Sequence, residues 1–326
     1  MKLDTITDVK EYLIAEGLVE ALREPFVENL SGGVSSSVWK IVWNNNRWVM
    51  KQALEKLNVK EDWYSDVERI HREHEVMVAL ADLVPNAIPK VVHVDYKNHI
   101  YIMLCAEEGA QTWKDILMNG IFSVSLAENA GHLLRDVHQQ SHRMTAADKE
   151  RFQDQKYFVQ LRVDPFHRHL MQKYPDLTTE IQKLVDEVTR EKTCLVHGDF
   201  SPKNMLVEHG EHIVLIDFEV AHWGNPVFDV AYCVGHLMLK GWYLHKHSEM
   251  LTLAAAFLSG YGGAANNLMP HLGLMLLARM DGKSTVNYIT GEKMKNDIRK
   301  VAINWIRGKA EDANTLYNIE KAFEMN

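Results

Sequence analysis

Between Leu195 and Glu219 the chain runs Leu195-Val-His-Gly-Asp-Phe-Ser-Pro-Lys-Asn-Met-Leu-Val207 and then, after a short break, Ile213-Val-Leu-Ile-Asp-Phe-Glu219. Two apolar runs, Met205–Val207 and Ile213–Ile216, are split by the turn His209-Gly-Glu211, which predicts a β-hairpin. A loop before the first strand carries Asp199 and, five residues on, Asn204; Asp217 follows the second strand. Closing the hairpin brings its strand ends together, so Asn204 and Asp217 are expected to be neighbours. Two oxygen donors on strand ends suit Mg²⁺, which takes few protein ligands and completes its shell with substrate phosphates. Asp199, on the loop beside them, is placed to accept a proton. Asp and Asn also stabilise turns, but an apolar hairpin has little reason to carry three such groups at its mouth.

The rest of the 326 residues predicts two regions of different character. Thr7–Glu16 has a helical apolar face. Leu30–Trp43 reads as turn then strand, Arg47–Gln52 as the returning strand after Asn44-Asn-Asn46, and Glu61–Leu83 as a long helix. Val91–Asp95 and His99–Leu104 are short β-rich runs. Beyond Cys105–Gln111 helical periodicity dominates, over Trp113–Met118, Leu126–His142, Glu180–Thr189, Ala231–Leu239, Met250–Tyr261, Leu268–Arg279 and Met294–Ile306. The expected architecture is α+β in two lobes: a small β-rich lobe with one long helix over 1–105, and a larger, mainly helical lobe over 106–326. Thirty-six basic against forty-four acidic residues give a net charge of −8, which disfavours general nucleic-acid binding. Three dispersed cysteines without a CxxC pair argue against a disulfide framework or cysteine zinc site. No apolar signal core or membrane-length stretch is seen, so no membrane association and a cytoplasmic location are expected.

His197-Gly-Asp-x-x-x-x-Asn204 followed by Ile216-Asp-x-Glu219 resembles the signature of the aminoglycoside phosphotransferase and choline kinase family, a branch of the protein-kinase-like fold. The resemblance implies an ATP- and Mg²⁺-dependent transfer of the γ-phosphate to a small-molecule hydroxyl. Asp199 would then be the catalytic base, with Asn204 and Asp217 holding Mg²⁺. Trp223-Gly-Asn-Pro-Val-Phe-Asp229 resembles the family's G-D-P-x-x-D element, in which Asp229 would tie down the catalytic loop. Gly32 and Gly33, with Ser35 and Ser36, would cover nucleotide phosphates. Lys51 would contact phosphate, oriented by an acid on the following helix: Glu73, with Glu75 and Glu68 as rivals. Tyr101–Ala106 resembles the adenine-binding linker, through backbone groups at Leu104 and Ala106. Ser201 stands where protein kinases place a lysine, which argues against a protein substrate; Lys203 is a second candidate near the γ-phosphate.

The acceptor is not legible. A polycation such as an aminoglycoside would want acids in the helical lobe, for instance Glu180, Asp186, Glu187, Glu292 and Asp297. A choline-like amine or a neutral sugar such as methylthioribose fits the motifs equally well. Trp242-Tyr243, with His236 and His245, is a candidate pocket wall. Other classes considered are a non-catalytic nucleotide-binding protein of the same fold and a metal-dependent hydrolase built on His197 and Asp199. A monomer and a homodimer are both compatible with the sequence.

Overall fold

A computed structural model describes residues 2–30, 35–57, 64–310 and 314–324. Within it the chain divides into two compact units, residues 1–108 and 109–326.

The first unit is organised by strand alternation. Helix α1 (Ile6–Ala15) begins at a reciprocal cap: the Asp8 amide donates to the Thr5 hydroxyl and the Thr5 amide to the Asp8 carboxylate. Strands β1 (Phe26–Asn29), β2 (Ser36–Trp43), β3 (Asn46–Ala53), β4 (Val91–Asp95) and β5 (Ile100–Leu104) form an antiparallel sheet in the order β1-β2-β3-β5-β4. Trp39, Ile41, Met50, Ile100 and Ile102 bury one face of this sheet against Leu3, Val9, Tyr12 and Leu13 from the N-terminal segment and α1. Successive strand side chains point to opposite faces, so Met50 enters that core while Lys51 faces the other way, toward helix α2 (Arg69–Leu80). α2 is shorter than the expected Glu61–Leu83 helix. Residues 64–68 precede it as bridge, loop and turn, and the start of the expected segment lies outside the described residues. Strand β1 went unread because its four residues, one of them buried, show too little alternation.

The second unit contains β6 (Gln111–Thr112), α3 (Trp113–Met118), α4 (Val124–Gln140), α5 (Ala146–Arg151) and α6 (Lys156–Phe158). A π-helical stretch, Val159–Arg168, leads into α7 (His169–Lys173) and α8 (Thr178–Arg190). Then come β7 (Cys194–Val196), the hairpin β8 (Met205–Glu208) and β9 (His212–Leu215), and β10 (His222–Gly224). The helices α9 (Val227–Leu244), α10 (His247–Tyr261), α11 (Leu268–Asp281), α12 (Glu292–Ile306) and α13 (Thr315–Glu324) complete it. β8 and β9 pair as expected from the two apolar runs, β6 adds to β8, and β10 pairs antiparallel with β7. α9 is buried on almost every side, packed against α10 and α11. α4 crosses α10 at very close range: a Cβ at Gly131 would run into the Phe257 carbonyl, and one at Gly260 into that of Glu128.

α9 also buries a lysine. Lys240 is 2 % exposed and donates to the His236 carbonyl at 3.3 Å. Burial, reinforced by the charge of Lys114, pulls its pKa down to about 7. The unfolded chain therefore binds one more proton than the folded one between about pH 7 and about pH 10.4, and stability rises with pH across that window. Lys240→Met is expected to remove this slope. Its gain over the wild type should be larger at pH 7 than at pH 9.5, by on the order of a few kcal/mol. Denaturant unfolding at the two pH values checks this, and an equal difference at both would contradict it.

Candidate active site

The loop after β7 is held from beneath by one buried carboxylate. Asp229, in the first turn of α9 and fully buried, accepts the His197 amide on Oδ2 at 2.7 Å and the Gly198 amide on Oδ1 at 2.8 Å. His138 Nε2 from α4 lies 3.1 Å from Oδ2. Gly198 takes φ +77, and a Cβ there would stand 2.9 Å from the Val220 side chain. Both the turn and the close approach thus require glycine.

His197 ties the loop to the hairpin. The Asp199 amide lies 3.1 Å from its Nδ1, which must accept, so Nε2 carries the proton and donates to the Ile216 carbonyl at 3.1 Å. Burial lowers its pKa, which matches a neutral ring in this tautomer.

Asp199 follows, 5 % exposed. Its Oδ2 accepts from Asn204 Nδ2 at 2.7 Å and lies 3.1 Å from Arg162 Nη2 and 3.7 Å from Lys203 Nζ. Burial would push this carboxyl up, but the charges of Arg162 and Lys203 outweigh it and hold the pKa below the usual carboxylate range. Arg162 is held in turn: Nε donates to the Gly198 carbonyl at 2.9 Å and Nη1 to the Leu161 carbonyl at 2.8 Å. Its own desolvation is overcome chiefly by Asp199, so its pKa is raised.

Asn204 is buried and spends Nδ2 on the Asp199 carboxylate and carbonyl, which turns Oδ1 away from them. The Ile216 amide donates to the Asn204 carbonyl at 3.0 Å, so hairpin closure sets Asn204 beside the Ile216–Asp217 step. Asp217 adopts φ +74, a left-handed conformation costly for a residue with a side chain. Lys203 Nζ lies 4.0 Å from its Oδ2. Lys203 is more than half exposed, so its attraction to the two carboxylates is screened by water.

In the first unit, Lys51 donates to both carboxylate oxygens of Glu73, at 2.7 and 2.9 Å, and both residues are buried. The Leu104 amide is taken by the Lys90 carbonyl at 2.8 Å, so any base contact there falls to its carbonyl. Ala106 lies in the coil that follows. Gly32 and Gly33 lie outside the described residues. Ser35 offers its carbonyl to Arg69 Nη2 and to the Leu54 amide. Ser36 opens β2 with a buried hydroxyl that has no hydrogen-bond partner among the described residues.

The structure therefore brings Asp199, Asn204 and Asp217 together in one unit and pairs Lys51 with Glu73 in the other. Arg162 and His138 were not picked out from the sequence. Arg162 sits in a π-helical stretch without motif spacing, and His138 was one histidine among seventeen.

The sequence signature described as phosphotransferase enzyme family, APH, matches residues 27–270. The chain belongs to this family. Its fold is that of the family's solved structures. Spectinomycin phosphotransferase APH(9)-Ia in complex with ADP and spectinomycin is 14 % identical, with full coverage of both chains and a TM-score of 0.54. A choline/ethanolamine kinase family protein from Mesorhizobium loti is 15 % identical over 98 % of this chain and 99 % of that one, with a TM-score of 0.55. An ethanolamine kinase from Plasmodium vivax is 13 % identical over 98 % and 88 %, with a TM-score of 0.54. No curated protein sequence matches the chain. These relatives share the two-region, kinase-like architecture, a β-sheet N-terminal region followed by a helical one. No described helix is long and apolar enough to cross a membrane.

The Asp229 grip sets a stability prediction. Asp229→Ala leaves two buried amides without their acceptor, and is expected to cost about 3 kcal/mol in urea unfolding. A variant as stable as the wild type would show that the loop is held some other way.

Proposed function

We propose that this chain transfers the γ-phosphoryl group of Mg·ATP to a hydroxyl of a small molecule, with Asp199 as the catalytic base. The observation that carries the reading is the state of Asp199: a buried carboxylate, oriented by Asn204 and Arg162, sharing Lys203 with the carboxylate of Asp217.

The donor set fits a divalent cation of the magnesium kind. Asn204 has its amide nitrogen spent on Asp199 and offers only oxygen outward, and Asp217 is aimed by a strained backbone at the end of the same hairpin. Asn204 and Asp217 would hold Mg²⁺, which when bound offsets negative charge on the nucleotide phosphates. Lys51, steadied by Glu73, would contact the phosphates as a point charge, and the Leu104 carbonyl and Ala106 would meet the base. Ser35 and Ser36, which follow the expected phosphate-covering segment, would lie beside the phosphates.

Asp199 receives the acceptor hydroxyl and aligns its oxygen with phosphorus. A carboxylate kept this acidic is a weak base, so it takes the proton late, after most of the bond change. That suits a loose phosphoryl-transfer transition state, in which positioning and electrostatics supply most of the rate. Lys203, 3.7 Å from Asp199 Oδ2 and 4.0 Å from Asp217 Oδ2, would help balance charge on the transferring phosphoryl group.

Asp199→Asn is expected to lower kcat by about 10²–10⁴ while Mg·ATP affinity survives, and Asp217→Ala to abolish magnesium-dependent nucleotide binding in calorimetry. Full turnover by the first variant would remove Asp199 from its role, and unchanged Mg·ATP affinity in the second would remove Asp217. The pH profile supplies an independent check. Because Asp199 is held below the ordinary carboxylate range, its acid limb in kcat/KM should lie below about pH 4. Arg162→Met takes away the larger of the charges that hold it down, and should move that limb to higher pH. A limb that stays in place would separate Arg162 from the ionisation of Asp199.

A further inference from the structure

Arg69, the first residue of α2, is 1 % exposed. Its guanidinium reaches main-chain carbonyls on three separate stretches of the first unit. Nη2 donates to the Ser35 carbonyl and, at 2.7 Å, to that of Leu54. Nη1 donates to the Ser65 carbonyl at 3.1 Å and to the Asp66 carbonyl at 2.9 Å.

Each stretch adjoins one part of the set proposed to handle the nucleotide phosphates. Ser35 follows the expected phosphate-covering segment and leads into β2. Leu54 follows β3, three residues after Lys51. Ser65 and Asp66 lead toward α2, on which Glu73 lies one turn beyond Arg69 and on the same face. The β2–β3 register pairs Ser36 with Ala53 and Val38 with Lys51, so Ser35 and Leu54 meet at the Lys51 end of the hairpin. Two backbone bonds close the same corner: the Leu54 amide donates to the Ser35 carbonyl at 2.9 Å, and the Ser65 amide to the Glu55 carbonyl at 3.1 Å.

The choice of arginine follows from geometry. A guanidinium carries its N–H donors in a rigid planar fork, whereas an ammonium is a single point on a flexible stem. A buried cation is costly unless polar groups are placed to meet it. The carbonyls of Ser35, Leu54, Ser65 and Asp66 are thereby held in one arrangement around the fork. Lys51 and Glu73 then pair, at 2.7 and 2.9 Å, across two elements whose ends Arg69 has already joined.

We infer that Arg69 is a positioning residue for the nucleotide phosphates: it holds the exit of the β1–β2 connection, the end of β3 and the start of α2 together, and acts on phosphate through Lys51. The inference rests on the phosphotransferase reading above. Lys51 supplies the charge that meets phosphate, and Arg69 sets where that charge stands.

The test is a double-mutant cycle on the full chain, with Mg·ATP affinity read by calorimetry in the wild type, Arg69→Lys, Lys51→Met and the double variant. Arg69→Lys keeps the positive charge and removes the fork. Alone, it is expected to weaken Mg·ATP binding by about tenfold. In the Lys51→Met background the same substitution should change affinity by about twofold at most, because the group through which Arg69 acts is gone. An equal loss in both backgrounds would reveal a general disturbance of the fold and overturn the inference. So would wild-type affinity in Arg69→Lys. Arg69→Gln carries the same cycle if Arg69→Lys fails to fold. Absence of Mg·ATP binding by the wild type would instead remove the phosphotransferase reading beneath it.

Discussion

A single buried carboxylate sets the geometry on which the candidate site rests. Asp229 has no water to solvate it, so its charge is met by the His197 and Gly198 amides and by His138. Two successive backbone amides pointing at one carboxylate define the path of the chain between β7 and Asp199. Gly198 is the position that lets the backbone take that path, since φ +77 and the nearby Val220 leave no place for a side chain. Rigidity passes on through His197, whose ring joins the Asp199 amide to the Ile216 carbonyl and so couples the loop to the hairpin. At each step a buried side chain grips backbone, so the loop's placement follows from the fixed orientations of Asp229 and His197.

The charges within this frame balance locally. Taking Asp199 out of water is unfavourable, and Arg162 offsets it while paying its own desolvation through the Gly198 and Leu161 carbonyls. The result is a carboxylate whose direction is strongly specified and whose proton affinity is low. For a group meant to remove a proton before bond formation this would be a poor arrangement. For one meant to aim an oxygen at phosphorus it is a good one, because orientation is what a rigid, fully bonded carboxylate supplies.

The hairpin and its three polar groups were legible because they depend on local rules: strand alternation, a glycine turn, and the short distance between strand ends. Lys51 and Glu73 were legible for a similar reason, since period two on β3 and period 3.6 on α2 assign each a face before any tertiary contact is known. Arg162 was not, because its position depends on a π-helical stretch containing Pro165, and no regular period describes that backbone. Arg279 stood in an apolar run of α11 and looked only like an interruption of it. Its surroundings come from Phe166 and Tyr232, more than a hundred and almost fifty positions earlier in the chain, whose rings it lies over. Trp242, which the sequence suggested as a pocket wall, is buried and packs edge-on against Phe323 of α13.

This division has a chemical cause. The groups proposed to handle phosphate answer to the donor, whose chemistry is the same whatever receives the phosphoryl group, so a fixed local spacing is enough to read them. The groups that meet the acceptor need only present the right charge and shape at the right distance from Asp199. Many backbone routes satisfy that requirement, so no fixed spacing marks such groups in a sequence.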